Sequence, residues 1–211
     1  MDTKMENHTS RMAALMGRLR REMNGAVVES MQRAGVRGAL NYGVSIPTIR
    51  EIASQTPPDH TFARFLYRQQ VRELRLAAAT IAEPEALTPE ELMEWVEGID
   101  HLEILDEVAL RLFSRAPHAI HHFMAEQWLC GAEPMPCYVA LMTLNRTAYP
   151  PQEVMPRLSR ALERFASERN VARAALAYCT FHFDALDLEQ LPDTESGRFV
   201  REELCDLFGC R

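Results

Sequence analysis

No apolar run in the 211-residue sequence approaches the roughly 20 residues a membrane-spanning helix needs. The opening MDTKMENHTS also lacks the hydrophobic stretch of a secretory leader. Both absences point to a cytoplasmic chain. Glycine is scarce, with nine residues, tyrosine numbers five, and runs of valine or isoleucine are few, which argues against many strands. The five cysteines (Cys130, Cys137, Cys179, Cys205, Cys210) are an odd set without Cys-x-x-Cys spacing, so reduced thiols are expected rather than a disulfide framework. His118, His121 and His122 stand at irregular intervals from Cys130 and Cys137, unlike any zinc pattern. No metal and no cofactor are expected.

What the chain has is alanine, leucine, arginine, glutamate and methionine, the residues helices prefer, and 47% hydrophobic content is enough to bury a core. An all-α fold follows. Apolar positions at Met12, Leu15, Met16, Leu19, Met23, Val27, Val28 and Met31 predict one or two helices within 9–37, divided at Asn24-Gly25. GALNYGVSIP is a loop, and Pro47 opens a helix that ends before Pro57-Pro58. Helices are expected over 60–68 and 71–82, then from Thr88 as N-cap with Glu91 completing a capping box. Further helices fit 101–115, 117–129, 136–147, 152–166, 169–183 and 195–208, so the chain holds about ten to twelve in all. Short loops make neighbours antiparallel, and such helix pairs stack into an α-solenoid; periodicity alone leaves a globular bundle open. The expected organisation is a single repeat domain over 1–211, with an N-terminal helical cap at 1–37 and a C-terminal helix within 195–211.

Net charge is −7, distributed unevenly. Residues 1–80 hold 12 Lys/Arg against 7 Asp/Glu, residues 81–150 hold 3 against 12, and residues 151–211 hold 8 against 11. In the basic first part, Arg64, Arg68, Arg72 and Arg75 share a stripe if their helix is continuous. In the last part, Arg157, Arg160 and Arg164 lie opposite the apolar face of Val154, Leu158, Ala161 and Phe165. Either set suits phosphate, since a guanidinium stays charged and donates paired hydrogen bonds, and either set equally suits a solvated face. Arg50 is the best single candidate for a phosphate contact, because Gly43 and Pro47 set the start of its helix. On a wheel of roughly 100° per residue, Asp100, Glu103, Glu107 and Arg111 gather on a solvated side of the 101–115 helix, Glu107 pairing with Arg111. Asp106 lies instead between Phe113 and Leu110 on the apolar arc. A carboxylate there is either a cleft group or the partner of an arginine from a neighbouring helix.

NYGVSIPTIREIA (41–53), followed by ELRLAAATIAEPEALTPEELMEWVEGIDHLEILDEVALRLF (73–113), resembles the AlkD-type DNA alkylation repair family of HEAT-like repeat proteins. The likeness lies in the order of a Gly-Val-x-x-Pro-x-x-Arg loop-helix, an Arg/Leu-rich helix running into Ala-Ala, a Pro-Glu loop before a Trp-bearing helix, and an acidic helix. It is strongest over 41–113, extends to about residue 183, and implies a HEAT-like α-solenoid of antiparallel helix pairs.

The resemblance implies a glycosylase that cradles duplex DNA and removes N3- or N7-alkylated purines. The lesion and the transition state are cationic, so negative charge or an aromatic face beside the sugar is what the chemistry needs. Asp106 matches the family's catalytic aspartate, and Arg50, Arg72, Arg75, Arg160 and Arg164 are the DNA-binding candidates. Three cleft positions depart from the family. Leu102 stands where it has a tryptophan, Tyr138 with Cys137 where a backbone-holding arginine belongs, and Ala177, beside Tyr178, where a second tryptophan belongs. These departures carry an alternative: a catalytically inactive scaffold holding a protein segment or undamaged nucleic acid, which the acidic 81–150 region also favours. No membrane partner is expected under either reading.

Overall fold

The computed structural model describes residues 2–33, 40–99 and 101–209. Eleven α-helices occur among them: α1 (Asp2–Leu19), α2 (Gly25–Arg33), α3 (Ile46–Ser54), α4 (His60–Tyr67), α5 (Arg72–Ile81), α6 (Leu102–Glu107), α7 (His118–Phe123), α8 (Pro134–Leu144), α9 (Pro151–Arg164), α10 (Arg169–Phe181) and α11 (Glu195–Phe208). No described residue belongs to a strand, and Leu40 meets Val71 in an isolated parallel bridge. No helix among the described residues is long and apolar enough to cross a membrane.

The chain divides into two compact units, the first formed by Met1–Ala86 with Gly98–Leu112 and the second by Leu87–Glu97 with Phe113–Arg211. In unit 1, α3 and α4 pack on α5, α1 rests on α3 and α4, and α5 also meets α6. Arg11 of α1 reaches Asp59 at 2.6 Å, while its guanidinium carbon stands 4.0 Å from the centre of the Phe62 ring. Asp59 is also the N-cap of α4, accepting from the Phe62 N–H at 2.9 Å, so one carboxylate starts one helix and ties down another. In unit 2, α8 is apolar on nearly every side and lies against α10, which packs on α11. A helix without a polar face is one a core surrounds.

Local signals set several ends. The Ser45 hydroxyl accepts from the Thr48 N–H with Pro47 in the first turn of α3, and Thr194 caps α11 through the Gly197 N–H. The Asn24 side chain accepts from the N–H groups of Ala26 and Val27, which separates α1 from α2 where Asn24-Gly25 predicts a break. Residues 34–37 of that predicted helical region lie outside the described residues.

Two expectations are corrected. The chain from Pro89 to Trp95 is 3-10 rather than α-helical, and the Thr88 side chain makes no capping bond. Its three-residue turn puts Leu92 and Trp95, both buried, on one line facing the core. The predicted 101–115 helix is α only to Glu107, then π over Val108–Leu112 and 3-10 over Phe113–Arg115. The 60–82 region is two helices, as expected: α4 ends at Tyr67 and Leu40 inserts its backbone at the turn, pairing with Gln70 and Arg72. The arginine stripe from Arg64 to Arg75 therefore does not form.

Candidate nucleic-acid interface

Helix α6 carries three carboxylates within five residues. Glu107 is 3% exposed and accepts a two-pronged pair from Arg50 of α3, with Nε donating at 2.9 Å and Nη2 donating to the other oxygen. Glu103 takes a second two-pronged pair from Arg72 of α5, both bonds at 2.7 Å. Planar forks of this kind fix orientation as well as position. Helix α6 is thus tied to two neighbouring helices, one turn apart. Asp106 lies between these anchors in the chain, half-buried, with Leu105 and Ala109 buried and Leu102 and Leu110 half-buried around it.

The wheel reading of Glu103 and Glu107 as a solvated side, with Glu107 paired to Arg111, is therefore corrected. Glu107 turns inward because a cation placed 57 residues upstream meets it, and Arg111 is exposed. The carboxylates of Glu107 and Glu103 leave both guanidiniums more basic than usual: the bond to Glu107 does so for Arg50, and at Arg72 the carboxylates outweigh the opposing effect of burial.

Arg50 owes its place to the loop before it. Gly43 adopts φ +71°, and a Cβ there would sit 2.3 Å from the Asn24 carbonyl oxygen, so only glycine fits. The fully buried Glu73 accepts from the N–H groups of Tyr42 and Val44 at 3.1 and 3.4 Å and from Arg72 at 3.0 Å. Arg72 also donates to the Val44 carbonyl at 2.9 Å. Glu73 was not signalled by the sequence: adjacent helix residues do not face each other, so its partnership with Arg72 arises only through the shared loop.

The arginine candidates separate by what they have left to donate. Arg72, 4% exposed, commits Nε, Nη1 and Nη2 internally, which corrects its reading as a phosphate contact. Arg75 is half-buried, with Nε on the Tyr67 carbonyl at 3.1 Å. The Arg50 side chain is 34% exposed, and its Nη1 makes no hydrogen bond among the described residues. In unit 2, Arg160 is exposed with no ion pair among the described residues, while Arg164 closes a π-turn end through the Leu129 and Gly131 carbonyls at 3.2 and 3.0 Å. Asp106, Leu102, Arg50, Arg72 and Arg75 belong to unit 1, and Arg160, Arg164, Tyr138 and Ala177 to unit 2.

At the departing positions, Leu102 and Ala177 are half-buried and Tyr138 is buried, as is Tyr178. Neither tyrosine presents an open ring face. Cys137 is fully buried, and burial pushes its thiol up to about 12, so it is core filling. The described cysteines are free thiols. His121 is buried against the Phe113 carbonyl at 2.8 Å, and His122 meets the Tyr149 hydroxyl at 3.0 Å. No group of three metal-ligand side chains occurs among the described residues.

The fold has a solved counterpart. A structure from "a new family of proteins related to the HEAT-like repeat DNA glycosylases with affinity for branched DNA structures" superposes with a TM-score of 0.71 over 92% of this chain and 94% of that one, at 14% sequence identity. Unit by unit, then, the helices belong to an all-α, HEAT-like repeat fold. The family model described as DNA alkylation repair enzyme matches residues 15–130, more than half of the sequence, and the chain belongs to that family. No curated protein matches it.

Proposed function

We propose that this protein binds duplex DNA and excises cationic N3- or N7-alkylated purines, with Asp106 as the carboxylate beside the scissile bond. The observation that carries the reading is the clamping of α6. Two-pronged pairs to Arg50 and Arg72 hold the helix that bears Asp106, so a half-buried carboxylate is presented from a fixed backbone. Preorganised charge of this kind is what stabilises a sugar as it becomes positive. As the C1′–N bond breaks, its electron pair leaves with the base, which departs neutral. The sugar takes up the positive charge, water adds at C1′, and the proton it brings is lost to solvent, leaving a neutral abasic sugar. Asp106 acts electrostatically, and Arg50, with Nη1 still able to donate, holds a phosphate.

A second reading rests on Leu102 and Ala177, which supply no aromatic face. In it the same scaffold binds nucleic acid, or a protein segment, without excision. The neighbouring family's affinity for branched DNA makes branched duplexes part of the test. Release of 7-methylguanine and 3-methyladenine from methylated duplex is expected, falling about a hundredfold or more in Asp106→Asn. Affinity for unmodified and branched duplexes should drop steeply with salt. Binding without release selects the second reading; neither release nor salt-sensitive binding removes DNA altogether.

A further inference from the structure

Unit 2 contains a pocket of about 340 Å³ that the excision reading leaves unused. Two of its walls are Arg169 and Arg173, four residues apart on α10 and hence on one face. Both are exposed, and neither has a hydrogen bond or ion pair among the described residues. Arg157, Arg164, Arg198 and Arg201 of the same unit are each committed to a carboxylate or a carbonyl. The first turns of α10 and α11 both border the pocket. The Ser196 and Gly197 N–H groups of α11 are taken by the Ala166 carbonyl and the Thr194 hydroxyl, so the helix starts contribute the positive potential of their dipoles rather than free donors. Gly197 lets α11 start there, since a Cβ would lie 2.1 Å from the Pro192 oxygen.

The remaining walls are of another kind. Ala172 and the half-buried ring of Phe199 are apolar, and Glu195 contributes one carboxylate, with Glu168 just before α10. Ser196 is used internally, its hydroxyl donating to the Phe165 carbonyl at 2.8 Å, whereas the exposed Ser167 lines the pocket. A cationic pair, a flat apolar wall and one acceptor, within a volume at the lower end of small-ligand sites, match a single nucleotide. We propose that this pocket binds a nucleoside monophosphate unit, with Arg169 and Arg173 on the phosphate, Phe199 against the base and Glu195 accepting from a base amino group. The unit comes either as a free nucleotide or as an unpaired nucleotide of a strand.

Isothermal titration of the full chain tests this with deoxyadenosine monophosphate, deoxyadenosine, inorganic phosphate and a 5′-phosphorylated tetradeoxyadenylate. The monophosphate should bind at least about tenfold more tightly than the nucleoside or the bare anion, and Arg169→Ala or Arg173→Ala should cost about tenfold. Phe199→Ala should weaken the monophosphate but leave phosphate unchanged, and thymidine monophosphate, without an amino group, should bind more weakly. A tetranucleotide that outbinds the monophosphate identifies a strand as the source, and the reverse identifies the free nucleotide. Absence of binding, retention in the double arginine variant, or equal binding of inorganic phosphate overturns the proposal. These titrations need no base release, so their failure is distinguishable from failure of the excision reading.

Discussion

Unit 1 holds 13 Lys and Arg against 13 Asp and Glu, while unit 2 holds 10 against 17. The two use charge differently. Unit 1 buries Arg72, Glu73 and Glu107 and joins α3, α5 and α6 through them. Unit 2 builds its interior from Val139, Leu141, Cys179, Tyr178 and similar groups, and its acidic excess stays largely at the surface. Apolar burial is non-directional and tolerates small shifts, whereas paired forks specify angle and register. The unit with the buried ion pairs is the one that holds the proposed catalytic carboxylate in place, at the cost of dehydrating charge.

Substitutions can break this contrast. Glu73→Ala should have the largest effect, about 3–5 kcal/mol, since it strands the Tyr42 and Val44 N–H groups and removes a buried partner of Arg72. A urea midpoint little changed from the parent would show that the network is dispensable. Leu141→Ala, in the apolar helix of unit 2, should cost about 3 kcal/mol through the cavity it leaves, with little dependence on salt.

Acid should separate the units. Burial pulls His121 and His182 of unit 2 below the ordinary histidine value. The unfolded chain therefore binds more protons, and the stability tied to their neutral forms is complete above about pH 6.5 and is lost as pH falls below it. Asp59 of unit 1 opposes the cost of burial with bonds from Arg11, the Phe62 N–H and Thr61, which hold it at about 2. Its contribution is complete above 3.8, its unfolded value, and is lost as pH falls toward 2. Unfolding curves between pH 7 and 5 should move in the parent and move less in His121→Gln, where His182 still titrates, while Asp59→Asn should lower stability throughout the range above pH 4 and remove the fall below it. The smallest effect belongs to Arg160→Ala, an exposed change within about 0.5 kcal/mol of parent stability. If Arg160 meets a phosphate, the slope of log affinity against log salt drops by about one.

Much of the helical framework was legible because its signals are local. Ser45 with Pro47, the break at Asn24-Gly25 and the buried side of α9 at Val154, Leu158, Ala161 and Phe165 all appear where pattern and capping chemistry place them. The family was legible for a related reason, since loop-helix order survives where single residues change. The surroundings of Asp106 were only half legible. Its apolar neighbours follow from spacing, but the 100° wheel assumes an unbroken α-helix, and the chain turns to π at Val108.

The all-α class and the helix starts at Ser45-Pro47 and Asn24-Gly25 were set by the amino-acid order alone, because each depends on contacts within about one turn. Which arginines remain able to donate was decided only by tertiary structure. Arg50 meets Glu107 across 57 residues, and Arg72 meets Glu103 across 31. A guanidinium's availability depends on which carboxylate the packing of helices brings within hydrogen-bond reach, and nothing in the residues adjacent to it in the chain encodes that.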